Sequence, residues 1–114
     1  MSGDKVQYYE HLAYVHPLAI NQSAGIVTQF EPDGSIERQL TLSERGTALL
    51  IAFLDAPGHY LSRDEAMAAL EASLTTVKST LRALNNLLAS FNLEFAAVAG
   101  TGYVLMAKHK REGQ

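Results

Sequence analysis

The side chains best suited to bind another molecule in this 114-residue chain lie between positions 74 and 91. One face of that stretch combines cations, hydroxyls and amides and has no carboxylate: Thr75, Lys78, Ser79, Arg82, Asn85 and Asn86. Lysine and arginine neutralise phosphates, whereas arginine and asparagine can form paired hydrogen bonds with the edge of a base. The pattern indicates a surface for nucleic acid; the alternative is the solvated outer face of an ordinary helix.

The remaining reactive residues form no comparable pattern. The four histidines are scattered and lack the spacing of metal ligands: His11, His16, His59 and His109. Gly100 and Gly102 lack the third glycine and the following helix of a phosphate-binding loop. Asp64 and Glu65 are adjacent, so they diverge on a helix and do not form an acid-base pair. We therefore expect no enzyme activity, no catalytic residue, no cofactor and no metal site.

Charge is distributed unevenly along the chain, whose net charge is −3. Most acidic residues precede Glu71, whereas positions 73–90 hold Lys78 and Arg82 and no acidic residue, and positions 108–111 form a basic tail. This arrangement predicts a positive patch on a mildly acidic body. Any binding of nucleic acid should therefore be modest in affinity and sensitive to salt.

Composition bounds the class of protein. With 47% hydrophobic and 18% charged residues, the chain has the make-up of one ordinary globular domain. It has no cysteine, which excludes disulfides and thiolate metal sites. No apolar run approaches the roughly twenty residues that a bilayer requires, and no export signal is recognisable. We therefore expect a cytoplasmic protein with no membrane contact.

Helical periodicity explains how the polar face is positioned. Apolar residues recur at spacings of three and four, which predicts an amphipathic helix packed on a core: Leu74, Val77, Leu81, Leu84, Leu88 and Phe91. Before it, Ser62-Arg63-Asp64-Glu65 predicts the capped start of another helix, which extends through Leu70. Only positions 71–73 separate the two helices, and Ser73 can cap the second. The pair is predicted to form a helix-turn-helix.

The flanking segments complete an α+β fold. Thr41-Leu42-Ser43-Glu44 matches a capping box and predicts a buried first helix that ends at Asp55-Ala56-Pro57-Gly58. Strands are predicted at 12–20, 25–31 and 36–40 as an antiparallel meander, and at 94–99 and 103–107 as a hairpin. We expect one domain over residues 1–114, with its core at about 12–107 and flexible ends at 1–10 and 108–114. Residues 1–10 could alternatively include a first edge strand.

Strands, three helices with a helix-turn-helix and a C-terminal hairpin are the arrangement of a winged helix. The chain resembles the OmpR/PhoB-type effector domain of bacterial response regulators over roughly residues 12–107. The resemblance lies in Leu42-Ser43, Leu49-Leu50, Pro57-Gly58, Ser62-Arg63-Asp64-Glu65, Thr76-Val77, Leu81-Arg82 with Leu84, and Gly100-Thr101-Gly102-Tyr103. The resemblance includes no receiver domain, so we expect a stand-alone effector domain without a phosphorylated aspartate.

The resemblance implies a transcription regulator that binds double-stranded DNA, with its third helix in the major groove and its hairpin as the wing. The implied DNA-binding residues, completed by Asn86 on the same face, are Thr75, Thr76, Lys78, Ser79, Arg82, Asn85, Asn86 and Thr101. In this interpretation Lys78 neutralises a phosphate, Arg82 reads a guanine and Asn85 pairs with an adenine. Members of the family often bind tandem half-sites, so self-association is also expected.

The alternative function is a winged-helix module for protein-protein interaction. Ala83, Asn85 and Asn86 stand where members of the family commonly carry arginines, and Ala99 replaces the usual arginine before the wing. The turn that contacts RNA polymerase in the family is reduced to positions 71–73. A partner would then dock on the third helix or on the edge of the N-terminal sheet, with four tyrosines as candidate anchors: Tyr8, Tyr9, Tyr14 and Tyr60.

Overall fold

The computed structural model describes residues 6–9 and 17–107. Four strands form an antiparallel sheet in the order β1-β2-β3-β4: β1 (Val6–Tyr9), β2 (Leu18–Asn21), β3 (Ile26–Phe30) and β4 (Ile36–Thr41). Three helices follow: α1 (Glu44–Asp55), α2 (Arg63–Leu70) and α3 (Leu74–Leu88). A second sheet has the order β5-β7-β6: β5 (Tyr60–Ser62), β6 (Leu93–Val98) and β7 (Gly102–Ala107). The fold is therefore the predicted α+β winged helix.

The N-terminal meander is confirmed, with a difference at its start. Strand β1 lies within positions 1–10 and pairs with β2 from Val6 opposite Asn21 to Tyr9 opposite Leu18. The folded part thus includes four residues from the segment predicted to be flexible, in agreement with the alternative of an edge strand. Their pairing depends on backbone hydrogen bonds to β2, which leave little trace in the pattern of apolar residues. Positions 12–16 of the predicted first strand lie outside the described residues.

The turn between β3 and β4 forms at the predicted position. Asp33 accepts hydrogen bonds from the backbone N–H of Ser35 at 2.9 Å and from its hydroxyl at 2.7 Å. These bonds favour the charged carboxylate, so they hold the pKa of Asp33 below its ordinary value. The side chain closes the turn in the way that short acidic residues commonly do.

Helix α1 begins differently from its prediction. The residue that caps it is Ser43, whose hydroxyl accepts a hydrogen bond from the backbone N–H of Gly46 at 3.0 Å. Thr41 is instead the last residue of β4, opposite Ile26 of β3. The predicted capping box from Thr41 to Glu44 is therefore wrong, because strand pairing holds Thr41 in the sheet.

The helix-turn-helix is confirmed in its caps and in its turn. The hydroxyl of Ser62 accepts from the backbone N–H of Glu65 at 3.1 Å, and the Glu65 carboxylate accepts from the Ser62 N–H at 2.8 Å. Ser73 caps α3 in the same way, with the N–H of Thr76. Between the helices, Glu71 takes a left-handed conformation and ends α2. The two helices are thus joined by three residues, as predicted.

The core holds α3 firmly from one side. Leu49, Leu50 and Phe53 of α1 are fully buried with Val77 and Leu88 of α3. A ring contact between Phe53 and Phe95 of β6, with centroids 4.7 Å apart, joins the helices to the second sheet. This packing presents the opposite face of α3 to solvent.

A glycine allows α1 and α3 to approach each other closely. A Cβ atom at Gly46 would lie 3.2 Å from Cδ2 of Leu84, which is tighter than ordinary packing. This contact accounts for a glycine in a position where helix propensity favours alanine.

No helix within residues 17–107 combines the length and the apolar character needed to cross a membrane.

Two side chains of the first sheet hold the short 3₁₀ turn Ala89–Phe91, which directly follows α3. Nη1 of Arg38 donates to the carbonyl oxygen of Ser90 at 2.6 Å, and Nε2 of Gln29 donates to the carbonyl oxygen of Phe91 at 3.4 Å. Carbonyl groups at the end of a helix lack partners within the helix, so these donors satisfy them. The guanidinium of Arg38 also suits the negative end of the helix dipole.

The C-terminal hairpin is confirmed, but it belongs to a larger sheet than the sequence predicts. Strand β5 pairs with β7, with Leu61 opposite Tyr103 and Ser62 opposite Gly102. The backbone N–H of Arg63 also donates to the carbonyl oxygen of Thr101 at 3.2 Å. The start of α2 is therefore attached to the turn of the hairpin, which orients the hairpin relative to the helix-turn-helix.

Candidate nucleic-acid interface

Four polar side chains run straight along the solvent side of α3. Thr75, Ser79, Arg82 and Asn86 are all exposed and follow one another at spacings of four, three and four residues. Positions with these spacings lie one above another on a helix. We call these four residues the outward stripe. It lies opposite the buried positions of α3 and carries the groups that can form hydrogen bonds with base edges.

A groove lies between α3 and the hairpin, and we call it the wing groove. Its volume is about 520 Å³. Lys78 and Arg82 from α3 line it together with Arg63 from α2, and the described residues around it include no carboxylate. Three positive charges in one concave surface attract an anion more strongly than scattered charges do. The groove therefore suits a phosphate backbone that passes beside α3.

Arg63 is a candidate residue that the sequence analysis missed. It is the first residue of α2, and its exposed side chain reaches the wing groove only because α2 packs beside the hairpin. One sequence signal could have singled it out. A cation in the first turn of a helix is disfavoured by the helix dipole, so its presence there points to a role outside the helix.

Asn85 has a structural role within the domain, and its predicted contact with DNA stays a prediction. Its Nδ2 donates to the carbonyl oxygen of Phe95 at 3.2 Å, and its Oδ1 accepts from the backbone N–H of Phe95 at 2.7 Å. Both ends of the amide are thus used by strand β6, and the side chain is half-buried. These two bonds hold the amide against β6. Asn86, on the outward stripe, is the asparagine of α3 that faces solvent.

The predicted threonines are placed apart from one another. Thr75 lies on the outward stripe, whereas Thr76 is half-buried at the capped start of α3 and its carbonyl oxygen accepts from the hydroxyl of Ser79 at 3.0 Å. Thr101 is exposed in the turn of the hairpin, at the end of the wing groove that Gly100 and Gly102 line. The structure thus brings Lys78, Arg82 and Asn86 together and leaves Thr101 on the wing.

The role of Asn85 predicts a difference in stability between two neighbouring asparagines. We expect Asn85→Ala to lower the free energy of unfolding by about 1–3 kcal/mol, because the buried backbone of Phe95 loses both partners. Asn86→Ala should change it by less than about 0.5 kcal/mol, because that side chain is exposed. Urea denaturation measures both values. Equal stability of the two variants would contradict the structural role of Asn85.

Of the four tyrosines proposed as anchors for a protein partner, one can be placed. Tyr60 lies in β5 and is half-buried beside Gly102. The Tyr60 side chain packs within the second sheet and is not part of an exposed aromatic patch. Tyr14 and the side chains of Tyr8 and Tyr9 lie outside the described residues.

Sequence comparison and structure comparison give different results. No protein-family model matches the sequence, and no curated protein matches it.

Among solved structures, the DNA-binding domain of Escherichia coli CadC is 23% identical to this chain and has a TM-score of 0.69. The match covers 92% of this chain and 95% of the CadC domain. The DNA-binding domain of the response regulator AdeR, solved in complex with an intercistronic region, is 23% identical with a TM-score of 0.61. That match covers 78% of this chain and 93% of the AdeR domain. The chain therefore has the winged-helix fold of these DNA-binding domains, which is the fold that its resemblance to OmpR/PhoB-type effector domains predicts.

Proposed function

We propose that this domain binds double-stranded DNA and acts as a transcription regulator, with α3 in the major groove and the β6–β7 hairpin as the wing. The observation that carries the proposal is the wing groove, where three cations and no carboxylate lie directly beside the outward stripe. The shared fold supports it, since the AdeR domain was solved in complex with an intercistronic region. Phosphate contacts then orient the domain, and the stripe reads bases.

Each residue of the site has a chemical task in this arrangement. Lys78 and Arg63 neutralise phosphates of the strand that passes through the wing groove. Arg82 reaches both the groove and the outward stripe, so its guanidinium can form paired hydrogen bonds with O6 and N7 of a guanine. In this proposal the exposed Asn86 forms paired hydrogen bonds with an adenine, the task first predicted for Asn85. Ser79 and Thr75 offer hydroxyls to either base edges or phosphates, and Thr101 approaches the backbone from the wing.

The low count of cations sets the expected strength of binding. The chain has nine lysines and arginines against twelve acidic residues, so its overall field does not attract DNA. In this proposal the three cations that the fold collects in one groove supply the phosphate contacts of the described residues. Self-association on tandem half-sites, which the resemblance implies, stays a prediction; sedimentation with and without a duplex would test it.

The test is fluorescence anisotropy with a pool of random double-stranded DNA at several salt concentrations. Wild-type binding should weaken as salt rises, and the double variant Lys78→Ala/Arg82→Ala should bind more weakly and with a smaller salt dependence. Each lost phosphate contact reduces the slope of log affinity against log salt by about one. The exchanged variant Lys78→Arg/Arg82→Lys is the matched control, because it keeps both charges.

Two outcomes would contradict the proposal. Wild-type protein that does not bind the pool even at about 50 mM salt, where phosphate contacts are strong, would leave the fold as a scaffold for a protein partner. Binding that is unchanged in the alanine variant would place the DNA on another surface.

A further inference from the structure

An apolar strip lies beside the outward stripe, on the side of α3 that faces α1. It consists of Ala83 and Leu87, which are four residues apart and therefore adjacent on the helix surface. Leu87 is 44% exposed, although it is a large apolar side chain on a helix whose other leucines are mostly buried. The core of the domain therefore does not account for a leucine at this position.

The strip borders a second groove, between α3 and the start of α1. This groove has a volume of about 500 Å³ and includes Leu42, Gly46 and Leu84 in its lining. Its two charged residues, Glu44 and Arg45, have opposite signs, so it has no net attraction for phosphate. The two sides of α3 thus differ in charge: three cations line the wing groove, whereas the groove beside α1 has one charge of each sign and exposes hydroxyl groups as well as apolar atoms.

We propose that Ala83 and Leu87 recognise the 5-methyl group of thymine, and that Asn86 beside them reads adenine, so that the site selects A·T pairs at this position. This inference rests on the proposed function. Thymine presents the one apolar group among the base edges of the major groove, and apolar side chains contact it there. Adenine presents the paired donor and acceptor that an asparagine amide matches.

The geometry of α3 places these two chemistries next to each other. Asn86 is three residues after Ala83 and Leu87 is four residues after it, so Ala83 is the neighbour of both side chains on the helix surface. Hydrogen-bond groups of adenine and the methyl group of its thymine partner lie side by side in one base pair. Contact with the methyl group also removes the exposed surface of Leu87 from water.

The experiment combines changes in the protein with changes in the DNA. A duplex selected from the random pool is synthesised with thymine or with uracil at every thymine position, since uracil pairs identically and lacks the methyl group. Wild-type protein should bind the thymine duplex roughly fourfold more tightly for each methyl group that the strip contacts. Leu87→Ala should bind both duplexes with nearly equal affinity, whereas Leu87→Met, which keeps an apolar side chain, should retain the preference.

The control for a general effect of exposed apolar residues is Ile36→Ala, at a position on β4 that is 60% exposed. This variant should keep the wild-type preference for thymine. Equal binding of the two duplexes by wild-type protein, or an undiminished preference in Leu87→Ala, would overturn the inference while leaving DNA binding itself intact. A wild-type protein that binds neither duplex would instead refute the proposed function, and the inference would fall with it.

Discussion

Replacing Arg82 with alanine should weaken binding to a selected duplex by between about fivefold and about 150-fold, the equivalent of the roughly 1–3 kcal/mol that a paired contact with a base contributes. Arg82 is the cation of α3 that belongs both to the outward stripe and to the wing groove. Its loss removes a phosphate-attracting charge and a pair of donors at once. Anisotropy titration with the selected duplex, and with a duplex changed at each base pair in turn, measures both consequences.

Arg82→Lys separates the two contributions. Lysine keeps the charge but lacks the planar pair of donors that matches guanine, so we expect a preserved salt dependence and a reduced preference for one base pair. The alanine variant should lose both properties. An Arg82→Ala protein with unchanged affinity and unchanged sequence preference would remove Arg82 from the interface.

The largest effect on stability is expected at Gly102, the first residue of β7. A Cβ atom there would collide with the carbonyl oxygen of Leu61 and would lie 2.7 Å from Cα of Ser62, both in the paired strand β5. These are backbone atoms, which cannot move aside as the end of a side chain can. We expect Gly102→Ala to lower the free energy of unfolding by about 3 kcal/mol, as overpacking in a tight site does. Urea denaturation followed by circular dichroism provides the measurement.

Gly100 offers the matched control, because it lies in the same hairpin turn but has no atom within 4 Å of the position that a Cβ would take. Its φ of 73° makes alanine unfavourable for conformational reasons alone, at a cost of about 1 kcal/mol. The difference between the two variants isolates the contact between β5 and β7. Equal costs at both glycines would mean that the close approach of the strands is not important for stability.

Local sequence patterns predicted the helices of this domain accurately. The apolar spacing of α3, the reciprocal cap of Ser62 and Glu65, and the short turn before Ser73 all appear in the structure as predicted. Each of these features depends on residues within one or two turns of helix. The C-terminal hairpin was predictable for the same reason, since its strands are joined by a short turn that contains Gly100.

The errors arose where distant segments compete for the same residue. Thr41 has the right residue type for a helix cap, but pairing with β3 keeps it in β4, and Ser43 takes its place. Strand β5 has only three residues, too few to show an alternating pattern, and it forms because β7 lies beside it. Neither outcome can be obtained from a short window of sequence.

The amino-acid pattern is enough to identify the helix that carries the polar face and to show that this face has cations without carboxylates, because both are properties of one periodic segment. How the members of that face are used depends on the packing of α3 against the other elements. It separates two adjacent asparagines: β6 binds the amide of Asn85, whereas Asn86 remains exposed. It also brings Arg63 of α2 to Lys78 and Arg82 of α3 across the wing groove. The physical reason is that hydrogen bonds and charge clusters between elements depend on how those elements pack, which periodicity along the chain does not specify.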